Sequence, residues 1–266
     1  MNQCTVQGCG LTWQPAEEMY SLITFATQWG SKHGGINSFN SDFLKAFGAA
    51  YHLQAQVICI VASATPEEIE EACNAHVILV PLLYPPQDKL FSAAQAQAGV
   101  DELKRLGINF DPDRTVWLGH DRITGEAAIA AAKMNAGGQS ALIHHMSYDH
   151  YESYAENSNT AYQKNQDQKA LFQQSDLALA IGPLLRDALH DLVGASKTVH
   201  MLIPGLAEIE TRTAPKTFTA FLSGRLSDDA ARIKQGHLGV AAFAQAHREA
   251  RENNMPDGLC QKPKLI

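Results

Sequence analysis

Residues 115–144 read TVWLGHDRITGEAAIAAAKMNAGGQSALIH, and this stretch decides the fold. It opens on a short apolar run, Thr115–Gly119, and closes on a second, Ser140–His144, with a helix-like pattern over 124–135 between them. Neither run alternates apolar with polar residues, which is how strands buried on both faces of a parallel sheet read. Strand, helix and strand in that order make a βαβ unit.

Outward from this unit the pattern repeats. Leu22–Thr27, Val57–Ala62 and His76–Leu83 precede it, and Leu177–Ile181 and Val199–Ile203 follow, each a short apolar run. Helix-like segments at 37–50, 66–74, 92–106, 161–174 and 183–193 fill the intervals. The expectation is an α/β fold, a doubly wound Rossmann-like parallel sheet of about six or seven strands. Ile203-Pro204-Gly205 ends the last run, and a polar stretch leads to Pro215. A new unit then begins with a strand at Phe218–Leu222 and a helix near 230–252. One strand and one helix do not close a core. The reading is therefore a 1–19 extension, a 20–215 Rossmann-like domain, and 216–266 as the opening of a second, incomplete domain, with a next strand starting near Pro263. On that reading the chain is a piece of a longer protein or a naturally short one.

Composition narrows the function classes. The 266 residues carry a net charge of -7, which argues against a nucleic-acid partner or an anionic membrane surface. Residues 216–266 hold 8 Lys and Arg against 5 Asp and Glu, a local +3 that suits a small anionic ligand and equally an ordinary solvated surface. No apolar stretch is long enough to span a bilayer, and the amino terminus lacks the pattern of a secretory signal. The five scattered cysteines read as reduced thiols of a cytoplasmic protein.

Ligands of open α/β sheets bind at the carboxyl ends of the strands, and four such places carry candidate chemistry. TQWGSKHGGIN (27–37) places Gly34 and Gly35 before a helix amino terminus, a cradle for an anion or simply a tight turn. Its order is not G-x-G-x-x-G, so the dinucleotide fingerprint is absent. WLGHDRITG (117–125) brings His120, Asp121 and Arg122 to a strand end, where Asp121 and Arg122 read equally as a structural ion pair and Thr124 as a helix cap. ALIHHMSYDH (141–150) invites a metal reading, but His145 and Asp149 are its only i,i+4 pair ending in Asp, and a sugar-contacting His is the better reading. FLSGRL (221–226), followed by Lys234, offers an Arg fork and a point charge for a diphosphate, although two such cations on a loop are more commonly a solvated surface.

Taken in order, these segments resemble the GT-B glycosyltransferases, most closely family 4 with its glycogen- and sucrose-synthase-like relatives. Gly34-Gly35-Ile36 resembles the family's first-strand glycine loop near the donor diphosphate. GHDRITGEAAIAAA (119–132) is similar to its H-D-w-x-T segment, and ALIHHMS (141–147) to the strand whose His contacts the donor sugar. LIPG (202–205) is similar to the end of the family's first domain, and FLSGRL with Lys234-Gln235-Gly236 to the start of its second. The resemblance implies a GT-B N-terminal domain and retaining transfer of a sugar from a nucleoside-diphosphate sugar to an unknown acceptor, without cofactor or metal. It implies His145, Arg225 and Lys234 as catalytic groups and Gly34, Gly35, His120 and His144 as donor-binding, with His144 the alternative register for His145. Two features depart from the pattern. No pair of Glu residues stands eight apart, as the family's second domain requires, and LSDDAARI lengthens the interval between Arg225 and Lys234. The rival readings are a nucleotide-sugar-binding or regulatory module without turnover, and an unrelated nucleotide-dependent reductase.

Overall fold

A computed structural model of the chain describes residues 19–149, 158–205, 219–222, 236–253 and 264–265. Seven parallel strands build one sheet: β1 Tyr20–Ala26, β2 Ala55–Val61, β3 Val77–Pro81, β4 Thr115–His120, β5 Gln139–His144, β6 Leu177–Ile181 and β7 Val199–Leu202, in the order β3-β2-β1-β4-β5-β6-β7. Every apolar run of the first 205 residues becomes one of these strands. The connecting helices are α1 Gly35–Tyr51, α2 Pro66–Asn74, α3 Ala93–Arg105, α4 Asp121–Met134, α5 Ser158–Gln174 and α6 Gly182–Val193. The expected α/β parallel sheet is the observed one.

The sheet is covered on both faces, which explains the unbroken apolar runs. On one face Ile23, Phe25, Ile58, Trp117 and Leu142 pack with Val100 and Leu103 of α3, Ala128 of α4, Phe172 of α5 and Leu189 of α6. On the other, Val57, Cys59, Val61 and Leu79 pack with Leu44 of α1 and Ala72 of α2. Strand order reverses between β1 and β4, so the carboxyl ends of these two strands flank the crevice where doubly wound sheets bind ligands.

Two local devices shape that crevice. Strand β4 passes into α4 with no residue between them, His120 being the helix N-cap and Asp121 its first residue. The reversal is made by Asp121 at φ 52, a left-handed conformation uncommon outside glycine. Gly119 lets α4 lie directly on β4, since a Cβ there would stand 2.7 Å from Cα of Gly125. The second device is the β1–α1 loop, which turns at Gly30 (φ 92) and Gly34 (φ 102) around the 3-10 turn Ser31–His33.

The described residues fall into two compact units, 19–149 with 159–204 in the first, and 158, 205, 219–222, 236–253 and 264–265 in the second. In the second unit β8 (Thr219–Ala220) pairs in parallel with β9 (Lys264–Leu265), and Leu222 packs on Gly239 of helix α7 (Gly236–Glu252). Among the described residues no helix is long and apolar enough to cross a membrane. Cys59 is a buried free thiol, whereas Cys73 is disulfide-bonded, which corrects the expectation of reduced thiols throughout.

Candidate functional site

The β1–α1 loop is held from three directions. Trp29 is fully buried beneath it. The Asn37 carboxamide reaches back from α1, accepting from the Gln28 backbone N–H (3.2 Å) and donating to the His33 carbonyl (3.1 Å). Glu68 of α2 takes Lys32 Nζ at 2.9 Å and His33 Nε2 at 3.1 Å, and closes a capping box with Thr65. Burial raises the Glu68 pKa, but the Thr65 amide, Lys32 and His33 outweigh it, and the carboxyl sits below its ordinary range. Gly34 is the N-cap of α1 and offers no side-chain cap, so the first turn of that helix keeps N–H groups available to an anion.

Gly34 and Gly35 differ in what they require. The φ of Gly34 lies where L residues are strained. Gly35 has ordinary backbone angles, and a Cβ there would meet nothing within 4 Å. The loop's own packing therefore explains Gly34 and leaves Gly35 unexplained.

Across the crevice the ends of β4 and β5 bring His120, Asp121, His144 and His145 together. The Asp121 carboxylate accepts from the backbone N–H of Arg122 (2.8 Å), from Gln168 Nε2 (2.6 Å) and from the backbone N–H of His145 (3.3 Å), with His144 Nδ1 at 3.5 Å. The reading of Asp121 and Arg122 as a structural ion pair is not the one the structure takes. Arg122 faces Asp167 at 3.6 Å and lies over the Tyr148 ring. Nor is Thr124 the helix cap. Its hydroxyl accepts from the His120 backbone N–H at 2.8 Å and donates to the Phe25 carbonyl at 2.7 Å, tying β4 to β1.

Adjacent residues of a strand point to opposite faces, and this separates the two histidines. His144 is enclosed, edge-on to Phe172 and within 3.1 Å of Gln168. His145 points the other way, edge-on to Phe39 of α1, and remains partly exposed. Its Nε2 lies 2.9 Å from Nδ1 of His120, which is fully buried. Behind His120 stands Asn40 of α1, with Oδ1 2.8 Å from His120 Nε2 and Nδ2 3.4 Å from Cys59 Sγ. Burial pushes the His120 pKa down to about 4. Burial, then the neighbouring His120 and His144, push His145 down to about 3 against the opposing pull of Asp121. Both rings are neutral at ordinary pH.

Of the residues singled out in the sequence, Gly34, Gly35, His120, His144 and His145 come together at the carboxyl edge of the sheet. Arg225 and Lys234 lie outside the described residues. Asn40, Gln168 and Glu68 were not legible as site residues, because each acts on residues far along the chain and belongs to no motif; Asn37 stood in the quoted loop with no role assigned to it. Among the described residues no group of three or more His, Cys, Asp or Glu is placed to hold a metal ion.

A family model described as "Family 4 Glycosyltransferase in conflict systems" matches residues 23–257. Among solved structures the chain is similar to sucrose-phosphate synthase from Thermosynechococcus elongatus, with a TM-score of 0.54 and 14% identity over 93% of this chain and 70% of that one. At that identity the likeness speaks for the fold alone. A second match, Thermogutta terrifontis esterase 2 phosphonylated by sarin, has 11% identity over 72% of this chain and 74% of that one, and a TM-score of 0.32 that carries no argument. No curated protein matches the chain.

Proposed function

The chain belongs to the family 4 glycosyltransferases of the conflict-system type, and from that premise we propose that it takes a nucleoside-diphosphate sugar as donor and transfers the sugar with retention to an acceptor hydroxyl. The observation that carries this reading is the pairing, at the switch point of the sheet, of a glycine-rich helix entry with a neutral, partly exposed His145. A helix amino terminus suits the diphosphate. A neutral imidazole suits the sugar, because it hydrogen-bonds hydroxyls and adds no positive charge beside an oxocarbenium-like centre.

In the proposed step the bond from the anomeric carbon to the diphosphate oxygen breaks, and its electron pair leaves on the diphosphate. The acceptor oxygen bonds to that carbon, and its proton passes to the departing diphosphate. Arg225 and Lys234, carried over from the family pattern, balance the charge that develops there. With its pKa near 3, His145 is not a proton donor at neutral pH; its part is to orient the sugar.

Calorimetry on the chain with UDP, GDP and ADP and with their sugar conjugates tests the reading. The expected result is that one nucleotide binds and that its sugar conjugate binds more tightly. In His145→Ala the added affinity of the sugar is lost while the nucleotide keeps its own. Binding of none of these ligands, or a sugar contribution indifferent to His145→Ala, would overturn it.

A further inference from the structure

We propose that Asn40 and His120 are positioning residues that fix the proton of His145 on Nε2 and leave its Nδ1 as a hydrogen-bond acceptor turned to a ligand hydroxyl. The inference deepens the reading of His145 as the sugar-facing group and rests on it only for the identity of the ligand.

The argument runs along one chain of contacts. Cys59 is wholly buried, and burial pushes its thiol up to about 11, so it stays a protonated thiol. Its sulfur accepts from Nδ2 of Asn40 at 3.4 Å. That contact turns the other end of the carboxamide, Oδ1, toward His120 Nε2 at 2.8 Å. An amide oxygen only accepts, so His120 carries its proton on Nε2. A neutral imidazole has a single N–H, so Nδ1 of His120 is an acceptor, and it stands 2.9 Å from Nε2 of His145. His145 must then donate from Nε2. Among the described residues the ring's hydrogen bond is made through Nε2, and the ring is partly exposed, which leaves Nδ1 to a ligand. The depressed pKa values of both rings keep each at one proton through the neutral range.

A second set of contacts fixes the same residue from its backbone, where the His145 N–H is received by Asp121. Ring and main chain are thus held from opposite sides. With the Asn40 carboxamide held in the orientation seen, reversing the proton order would leave His120 Nε2 and Asn40 Oδ1 as two facing acceptors in a buried site, and an unmade buried hydrogen bond costs about 1–3 kcal/mol. That corresponds to a preference of roughly 5- to 150-fold for one arrangement.

The test is NMR on the 15N-labelled full chain without ligand. The expected result is a one-bond proton coupling at His145 Nε2 and a nitrogen–nitrogen coupling across the hydrogen bond to His120 Nδ1. The Nδ1 of His145 should show a shift of the unprotonated kind. A proton found on His120 Nδ1, or on His145 Nδ1, overturns the proposal with no variant needed. In Asn40→Leu the acceptor behind His120 is gone. The proton should then move to His120 Nδ1, and His145 should become the Nδ1–H form. If that variant does not fold, Asn40→Ala carries the same test. A His145 proton that stays on Nε2 in either variant overturns the role of Asn40. Failure of nucleotide sugars to bind would instead count against the proposed function, and the resonances would still report the proton order.

Discussion

At the scale of single residues the site is a problem of keeping histidines neutral, and that makes stability depend on pH in a definite direction. His120 and His145 have folded pKa values of about 4 and about 3, against 6.5 when unperturbed. Above pH 6.5 neither state binds the extra proton, and the pair costs nothing. As pH falls below 6.5 the unfolded chain takes up protons that the folded chain refuses, so stability is lost down to the folded pKa values. Each ring accounts for at most about 1.4 kcal/mol per pH unit in that window, and less for His145, whose ring is partly exposed. Melting temperatures at pH 7.5, 6 and 5 should fall steadily. The fall should be shallower in His120→Gln, whatever the variant's absolute stability. Equal slopes for the two proteins would show that other groups govern the acid limb.

The two loop glycines offer a sharper contrast at the same scale. Gly34→Ala forces φ 102 on a residue with a Cβ, at a cost of roughly 1–3 kcal/mol. Gly35→Ala meets open space at ordinary angles, and should be neutral or stabilising by about 0.4–1 kcal/mol. If Gly35 is glycine so that a diphosphate can approach, the Gly35→Ala protein should melt no lower and bind nucleoside diphosphate more weakly. Undiminished binding would reduce Gly34-Gly35 to a turn.

At the scale of elements, Glu68 joins a helix cap to the glycine loop. Glu68→Ala removes half of the Thr65 capping box and both loop anchors, Lys32 and His33. The lost half, the Glu68 carboxylate accepting the Thr65 N–H, is worth about 1 kcal/mol, and Lys32 adds little because it is largely exposed. The expected signature is a modest drop in melting temperature with faster amide exchange at 30–37, and unchanged exchange in β4 and β5. Elements are also where the sequence was most legible. Val57–Ala62 stood out because every position of a strand buried on both faces can be apolar, and few segments that short are so uniformly apolar. The start of α4 was placed three residues late, at 124, because a strand passing straight into a helix leaves no loop to read, and Asp121 at positive φ gives no composition signal. The facing of His144 and His145 depended on the register of β5, which adjacency alone does not decide. The contact of His120 with Asn40 spans 80 residues and follows only from the order β2-β1-β4.

At the scale of the whole molecule the proposed donor raises the question of how an acidic protein would hold an anion. The net charge is -7, and the +3 of residues 216–266 leaves -10 on the rest. A diphosphate approaching this chain is repelled at long range, so its affinity must come from close contacts: the α1 entry, and in our proposal Arg225 and Lys234. Close and distant contributions respond differently to salt. Raising ionic strength shortens the screening length to below about 8 Å above physiological salt, which removes the general repulsion along with the attraction of exposed cations. The same contacts separate ground state from transition state. The diphosphate is present before and during transfer, so Arg225→Ala should weaken nucleotide binding and turnover together. In the same proposal His145 meets the sugar, whose charge appears only as the bond breaks. His145→Ala should therefore leave nucleoside diphosphate affinity unchanged and lower the transfer rate by on the order of a hundredfold or more. Initial rates with the nucleotide sugar found by calorimetry, beside binding of the free nucleotide, measure both quantities. If Arg225→Ala left nucleotide binding intact, Arg225 would have no part in holding the diphosphate, and the α1 amides would be its principal holders. If His145→Ala weakened free nucleotide as much as it slowed transfer, the ring would face the base or the phosphates, and the retaining step as drawn would lose its orienting group.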